Sequence, residues 1–262
     1  VVGGNVAAGS GGATINSGAR VDGNVSGGSV SLNSGTYVGG GVTSGSSIYA
    51  HRNSTVVGTT TAWGHPASPA TFTAPTMLTP TTFSLGTQDI SGRNGAAVSL
   101  LAGHYDDLSL ANNCTLTLST GNYYFDSFAV GNGLVLNLDT SAGAVSIFVD
   151  GDISLGNNLV SYLLGSGSVH TEAHGDWTLG NNGLWIGTVF ATDDIVVGEN
   201  GTIYGALYAG DRITLDNNVC VAGYAPMVAQ CSSPAVPEPA TMVLLGTGLG
   251  AMAVSRWRRK AA

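Results

Sequence analysis

The feature that most constrains this chain is a repeat. Six segments, 108–113, 128–133, 153–158, 177–182, 195–200 and 213–218, share one order: apolar, small, apolar, a turn residue such as Gly, then Asn-Asn or a close variant. Their third residues, Leu110, Val130, Leu155, Leu179, Val197 and Leu215, lie 20, 25, 24, 18 and 18 positions apart. A unit of this size cannot bury its own apolar face and must stack on its neighbours. Short strands separated by Gly-Asn turns at this period predict the coils of a β-solenoid. After each turn a two-residue alternation sets in, as at Leu134, Leu136 and Leu138 against Val135 and Asn137, which is a strand with one buried face. Each coil then returns through another strand, such as 147–149 or 207–209. At about 4.8 Å per coil, six coils span about 29 Å. Asn112, Asn132, Asn157, Asn181 and Asn217 are expected to stack as a ladder, each amide bonding the next coil. The glycine before them is expected to supply the positive φ of the turn.

A weaker repeat precedes this one. Gly4-Asn5-Val6, Gly23-Asn24-Val25 and Gly40-Gly41-Val42 recur with valines 19 and 17 apart, predicting about three thin coils. Between the repeats, Pro66, Pro69, Pro75 and Pro80 make up half of the chain's 8 prolines. Proline cannot donate to a ladder, so this stretch reads as a linker or an excursion on the solenoid wall. The expected organisation is thin coils over 1–58, linker over 59–94, main solenoid over 95–224 and a tail over 225–262. Whether the two stacks join in one rod is left open by the pattern.

Composition agrees with a folded, strand-rich chain. Of 262 residues 43% are hydrophobic and 9% charged, and mean hydropathy is +0.23, whereas disordered chains are apolar-poor and charge-rich. Forty glycines occur without a sustained Gly-X-Y triplet, which excludes collagen. Before Pro237 the chain carries four arginines, no lysine and fifteen acidic residues, a net −11. A body this acidic offers no electrostatic footprint for nucleic acid.

Basic residues concentrate at the other end. Residues 240–255 carry no charge, and Arg256, Arg258, Arg259 and Lys260 follow. Sixteen helical residues reach about 24 Å, short of a hydrocarbon core of about 30 Å, and the basic cluster would hold that end in the cytoplasm. A simple tail anchor is one reading. Val236-Pro237-Glu238-Pro239, the apolar stretch and the arginine cluster together resemble the PEP-CTERM sorting signal of exopolysaccharide-producing bacteria, over 236–260. The resemblance implies transient inner-membrane anchoring through a short hydrophobic helix. An exosortase-type membrane enzyme would then process the tail and release or transfer the body to the cell surface or extracellular matrix. Val1-Val2-Gly3-Gly4 has no signal-peptide character, so an export leader is expected to have been removed or to lie outside this sequence.

The body carries a second resemblance. The run 101–105, the Gly121-Asn-Tyr-Tyr-Phe-Asp126 stretch and the Gly-Asn-Asn turns are similar to a largely uncharacterised β-solenoid domain of bacterial surface proteins, over about 95–224. The N-terminal Gly-Asn-Val coils often accompany it. The resemblance implies an all-β, right-handed parallel β-helix and brings no established activity.

Carboxylates recur at the opposite turn. Asp107, Asp152, Asp176 and Asp194 hold one repeat position, and Asp106, Asp126, Asp193 and Asp211 the position before. In register they would line one edge and repel. The edge is either solvated or a calcium site, since calcium prefers oxygen ligands; no other cofactor is expected. A polysaccharide hydrolase would use Asp150, Asp152, Asp176, Asp193 and Asp194. With Arg212 the only basic residue after Arg93 in the body, an enzyme is not the expectation. His170, Glu172 and His174 share a strand face; their spacing of about 6.6–7 Å is awkward for zinc and they read as solvated surface. Cys114 is expected inward and inert. Cys220 is expected outward, within reach of a disulfide with Cys231. The reading is a non-enzymatic exported rod acting in an exopolysaccharide matrix or biofilm and able to self-associate. The alternative is a carbohydrate-binding adhesin using Tyr124, Tyr162, Trp185 or Tyr204.

Overall fold

In the computed structural model, residues 4–62 and 80–223 are described. The chain divides into two units, Val1–Cys231 and Ser232–Ala262, and every described residue belongs to the first. Among the described residues all regular structure is strand, and every pairing is parallel. Three strands make one rung, so the parallel β-helix has three walls. The expected C-terminal helix and the sorting-signal residues Val236, Pro237, Glu238, Pro239, Arg256, Arg258 and Arg259 lie outside the described residues.

The second wall shows the stacking order most simply. It is a 10-stranded sheet that begins with Ala97–Leu100, Thr115–Leu118, Val135–Thr140 and Val160–Gly165. Leu184–Ile186, Thr202–Tyr204 and Cys220–Ala222 follow. Arg20–Val21, Tyr37–Val38 and Thr55–Val56 complete it. The two repeats therefore form one ladder of ten rungs, about 43 Å from first to last at the usual strand spacing. Their order is unexpected. The N-terminal coils stack beyond the last coil of the main repeat: Val6 pairs Leu207, Ala13 pairs Ile213 and Arg20 pairs Cys220. The seventh rung takes two walls from Ile213–Leu215 and Cys220–Ala222 and its third from Val6–Ala8. Residue 62 thus belongs to the tenth rung, and the chain reappears at residue 80 beside the fourth.

The first rung, opened by Ile90–Gly92, begins inside the stretch read as linker. Gly92 holds the position where later coils place Leu or Val, so the apolar signature fails there. A Cβ on Gly92 would stand 2.8 Å from Leu110 Cδ2, so a larger residue there requires the Leu110 side chain to shift.

Alternation sets the core. Leu116, Leu118, Leu136, Leu138, Ile203 and Val221 face inward from the second wall and are fully buried, each contributing about 1.5–3 kcal/mol of apolar transfer. Trp177 and Trp185 meet edge-to-face at 5.5 Å in the fifth rung. Ser161, in register with Leu136 one rung earlier, donates its hydroxyl to Leu184 O at 2.9 Å, a small residue beside the bulky pair. In the N-terminal rungs Ala8, Ala13, Ala19, Val21, Val25 and Val38 fill the same columns, so that part of the core is thinner.

The turn between the first and second walls corrects one expectation. Positive φ falls on the second Asn, at Asn113, Asn158, Asn182, Asn200 and Asn218 (φ 55 to 58), or on Gly18, Gly35, Gly95 and Gly133 in the same place. Asparagine tolerates the left-handed region where β-branched residues do not. The glycine ahead of the pair is needed for closeness instead: a Cβ on Gly180 would lie 2.6 Å from Asn157 Oδ1 and 2.7 Å from Gly156 C.

Candidate functional site

The first wall carries one outward residue per strand between two hydrogen-bonded edges. Its outward row runs Ser91, Ser109, Ala129, Ser154, Thr178, Val196, Thr214, Thr14, Ser31 and Tyr49, each in register with the next. Seven of the ten are Ser or Thr, all at least partly exposed. On one side lies the asparagine edge. Asn112 Oδ1 accepts the Asn132 N–H at 2.8 Å, Asn132 Oδ1 that of Asn157 at 2.8 Å, and Asn157 Oδ1 that of Asn181 at 2.7 Å. Asn181 Oδ1 accepts from Glu199 N at 2.9 Å, and Asn217 Nδ2 donates to Glu199 Oε1 at 3.0 Å.

The carboxylate edge lies on the other side. Asp152 Oδ1 accepts the N–H of Asp176 at 2.8 Å, Asp176 Oδ1 that of Asp194 at 3.0 Å, and Asp194 Oδ1 that of Arg212 at 3.0 Å. An amide hydrogen one rung on thus faces each carboxylate and offsets the repulsion that stacking alone would create. Asp211 N donates to Asp193 O, so that pair joins through backbone. Asp107 accepts from Ser127 Oγ. Of the acidic edge, Asp106, Asp107 and Asp126 form the group that could hold a metal among the described residues, with ligand atoms within 4.8 Å of one another, and Asp152, Asp176, Asp193, Asp194 and Asp211 fall outside it. Burial first, then the charges of Asp89, Asp107 and Asp126, raise the Asp106 carboxyl above its ordinary range. Those three carboxylates cluster on the first three rungs, while Asp152, Asp176, Asp193, Asp194 and Asp211 run on along the rod.

The third wall overturns the reading of His170, Glu172 and His174 as solvated. Residues 80–88 run back along it as a strap. Thr81 donates its N–H to Glu172 Oε1 at 2.6 Å and its hydroxyl to Glu172 Oε2 at 3.1 Å. His174 Nε2 stands 3.0 Å from Glu172 Oε1 and its Nδ1 3.1 Å from Asp150 Oδ1, and His170 Nε2 lies 3.8 Å from Glu172 Oε2. Glu172 is 1% exposed. Burial pushes its carboxyl up, but the partners His170, Thr81 and His174 outweigh that and hold it at about 2. Ahead of it, Phe83 packs against Tyr124, Phe148 and His174 at 5.1, 6.2 and 5.3 Å. Gly86 N donates to Tyr105 O and Asp106 N to Gln88 O, so the strap ends by covering the first rung's third-wall edge. Alternation alone gives no sign of this cover, because the strap comes from a segment with no repeat.

The remaining sequence candidates separate. Trp185 is core. Tyr124 stacks between His104 and Phe148 at 4.4 and 5.1 Å, its faces engaged rather than open to a sugar. Tyr162 is 50% exposed and Tyr204 partly exposed, both on the second wall. Cys114 is buried and free, 3.1 Å from Arg93 O. Cys220 is disulfide-bonded; Cys231 lies outside the described residues. Cys220 is buried while sharing the outward column of its register partners Thr202 and Arg20.

Residues 87–229 match the family described as Domain of unknown function (DUF7305), more than half of the chain. The chain belongs to this family. In this DUF7305 protein residues 235–260 match the PEP-CTERM protein-sorting motif, which covers Pro237 to Arg259 and implies processing by an exosortase, export and a surface or extracellular location. No curated protein matches the sequence. Among solved structures, the DUF7305 chain is similar to an ice-binding protein from the Antarctic ascomycete Antarctomyces psychrotrophicus, at 19% identity and TM-score 0.39, covering 82% of this chain and 92% of that one. An ice-binding protein from an Antarctic biological consortium is 17% identical at TM-score 0.30, with 82% and 85% covered. The DUF3494 domain of Shewanella frigidimarina ice-binding protein 1 is 15% identical at TM-score 0.39, with 83% and 92% covered. Among the described residues no helix is long and apolar enough to cross a membrane.

Proposed function

We propose that this protein is a non-catalytic structural rod of the cell exterior whose first wall lies against an ordered polymer, with exopolysaccharide as the partner. The outward row from Ser91 to Tyr49 carries the reading. Small, mostly hydroxylated side chains repeat once per rung, about 4.8 Å apart, on a wall whose two edges are held rigid by side-chain-to-amide ladders. Rigid hydroxyls in a fixed row can hydrogen-bond a repeating chain with little ordering cost in the protein. Against catalysis, Asp152, Asp176 and Asp194 each serve the neighbouring rung's amide. Transient anchoring through the tail, with the body facing outward, completes the reading.

Co-sedimentation of the processed body with exopolysaccharide tests it. S154E/T178E should abolish binding, whereas T117E on the second wall should leave it intact. Unchanged binding by S154E/T178E would sink the proposal. A second reading rests on the same row, since hydroxyls repeated at one spacing also suit a crystalline solid such as ice. Inhibition of ice recrystallisation, lost in S154E/T178E while polysaccharide binding is absent from the parent protein, would favour it.

A further inference from the structure

The seventh rung joins two parts of the chain that are distant in sequence, and the junction contains nothing that requires them to come from one molecule. It is a backbone ladder, Val6 to Leu207, Ala13 to Ile213 and Arg20 to Cys220, over inward columns that include Ile15, Leu215 and Val221. Two side-chain bonds cross it, Asn16 Nδ2 to Asp216 Oδ1 at 3.1 Å at the asparagine edge and Ser10 Oγ to Asp211 Oδ1 at 3.5 Å at the carboxylate edge. We propose that this junction is a docking surface for residues 4–62 of a second copy of the chain as well as for its own, so that molecules link by exchanging their N-terminal rungs. The inference goes beyond the matrix reading and stands on the topology alone, whatever the first wall binds.

Three observations support a second copy as the occupant. First, without the N-terminal rungs the strands Ile213–Leu215 and Cys220–Ala222 present a bare parallel edge, and unpaired edges recruit strands. The edge that fits them register for register is the one residues 4–62 carry. Second, the covalent route between the partners is long. The last strand of the N-terminal part, Thr60–Ala62, lies on the tenth rung, and the chain is next fastened at Thr81 on Glu172 in the fourth. Six rung spacings are about 29 Å, and the intervening positions 63–79 reach roughly 56–61 Å when extended. Such a tether permits closure within one chain without enforcing it, at an effective concentration in the millimolar range. Third, exchange keeps every contact of the junction, so closed and exchanged forms differ in connectivity rather than in bonding. Non-reciprocal exchange passes the block from each copy to the next and produces open head-to-tail chains.

The test uses the full chain with T14C/T214C. These two outward threonines are register partners across the junction, at a separation suited to a disulfide. The variant is folded from denaturant at micromolar and at near-millimolar concentration, oxidised, and run on a non-reducing gel. The expected result is a cross-linked monomer at low concentration and a rising share of covalent dimers and longer multimers at high concentration. The single variants T14C and T214C, limited to dimers, set the background. Cross-linked monomer alone at every concentration would overturn the proposal. A second measurement guards against misfolding of the cysteine variant: unmodified chains bearing two different tags are folded together near millimolar concentration. Co-purification of both tags, absent when the chains are mixed after folding, is expected; its absence counts against exchange.

Discussion

Asparagine performs two tasks at the corner between the first and second walls. In the pairs begun by Asn112, Asn157 and Asn181 the first Asn accepts the next rung's amide on its side-chain oxygen. The second adopts positive φ and donates along its own ladder, as Asn182 Nδ2 does to Asn158 Oδ1 at 3.3 Å. The two therefore respond differently to substitution. Asn182→Gly should change stability by no more than about 0.5 kcal/mol, because glycine tolerates the same φ, while Asn182→Val should cost about 1–2 kcal/mol. Asn157→Ala leaves the Asn181 amide to solvent and should cost about 1 kcal/mol. Denaturant titration of the three variants checks the order. At the opposite corner Asp106 has a folded value raised above its unfolded one, so its contribution favours the fold at low pH and is lost as pH rises through the folded value. Millimolar calcium should relieve the Asp106, Asp107 and Asp126 repulsion above that pH and raise Tm, with D126N removing the increment. No shift in the parent protein would rule calcium out at this site.

Among elements, the strap over 80–88 depends on one buried carboxylate. Glu172 has a folded value of about 2 against an ordinary 4.5. Its contribution, on the order of 3 kcal/mol, is therefore complete above the unfolded value and lost as pH falls toward about 2. Glu172→Ala should destabilise the chain by about 2–4 kcal/mol and open residues 80–88 to protease. Glu172→Gln keeps an acceptor for Thr81 and should mainly flatten the acid limb of the stability profile. Equal proteolysis of parent and Glu172→Ala would mean that Phe83, packed among Tyr124, Phe148 and His174, and the bonds of Ser84, Gly86 and Gln88 to the first rung fasten the strap without Glu172. Nothing in the local sequence announced this element. Its residues follow no repeat, and their partners lie some 20 to 90 positions away.

In the whole molecule, the seventh rung brings residue 4 beside residue 222. Gly4 N donates to Gly205 O at 3.1 Å, Gly205 N donates to Ala222 O at 2.8 Å, and a Cβ on Gly4 would lie 3.0 Å from Ala222 Cα. A chain reordered to run from 80 to 223, through a short linker, and then from 4 to 62 should keep the ten rungs. Circular dichroism and a cooperative melt of that permutant check the expectation, and its loss of fold would show that the 63–79 connection directs assembly. The strand alternation, the repeat and the placing of apolar columns were legible before any coordinates, since each is set by which side of a strand a residue occupies. The first rung was not, because Gly92 replaces the apolar marker, and the cover over Glu172 was not, because alternation says which way a side chain points but not what lies above it.

The sequence by itself determined that this chain is a parallel β-solenoid, with an exported fate written at its C-terminal end, because periodicity and short linear motifs are local properties. Only the tertiary structure decided the order of the coils, the completion of the seventh rung by Val6–Ala8 and the burial of Glu172. A coil carries two nearly equivalent edges, so its sequence specifies that it will stack without specifying on which neighbour. That choice rests on long-range register and on how far the connecting chain reaches.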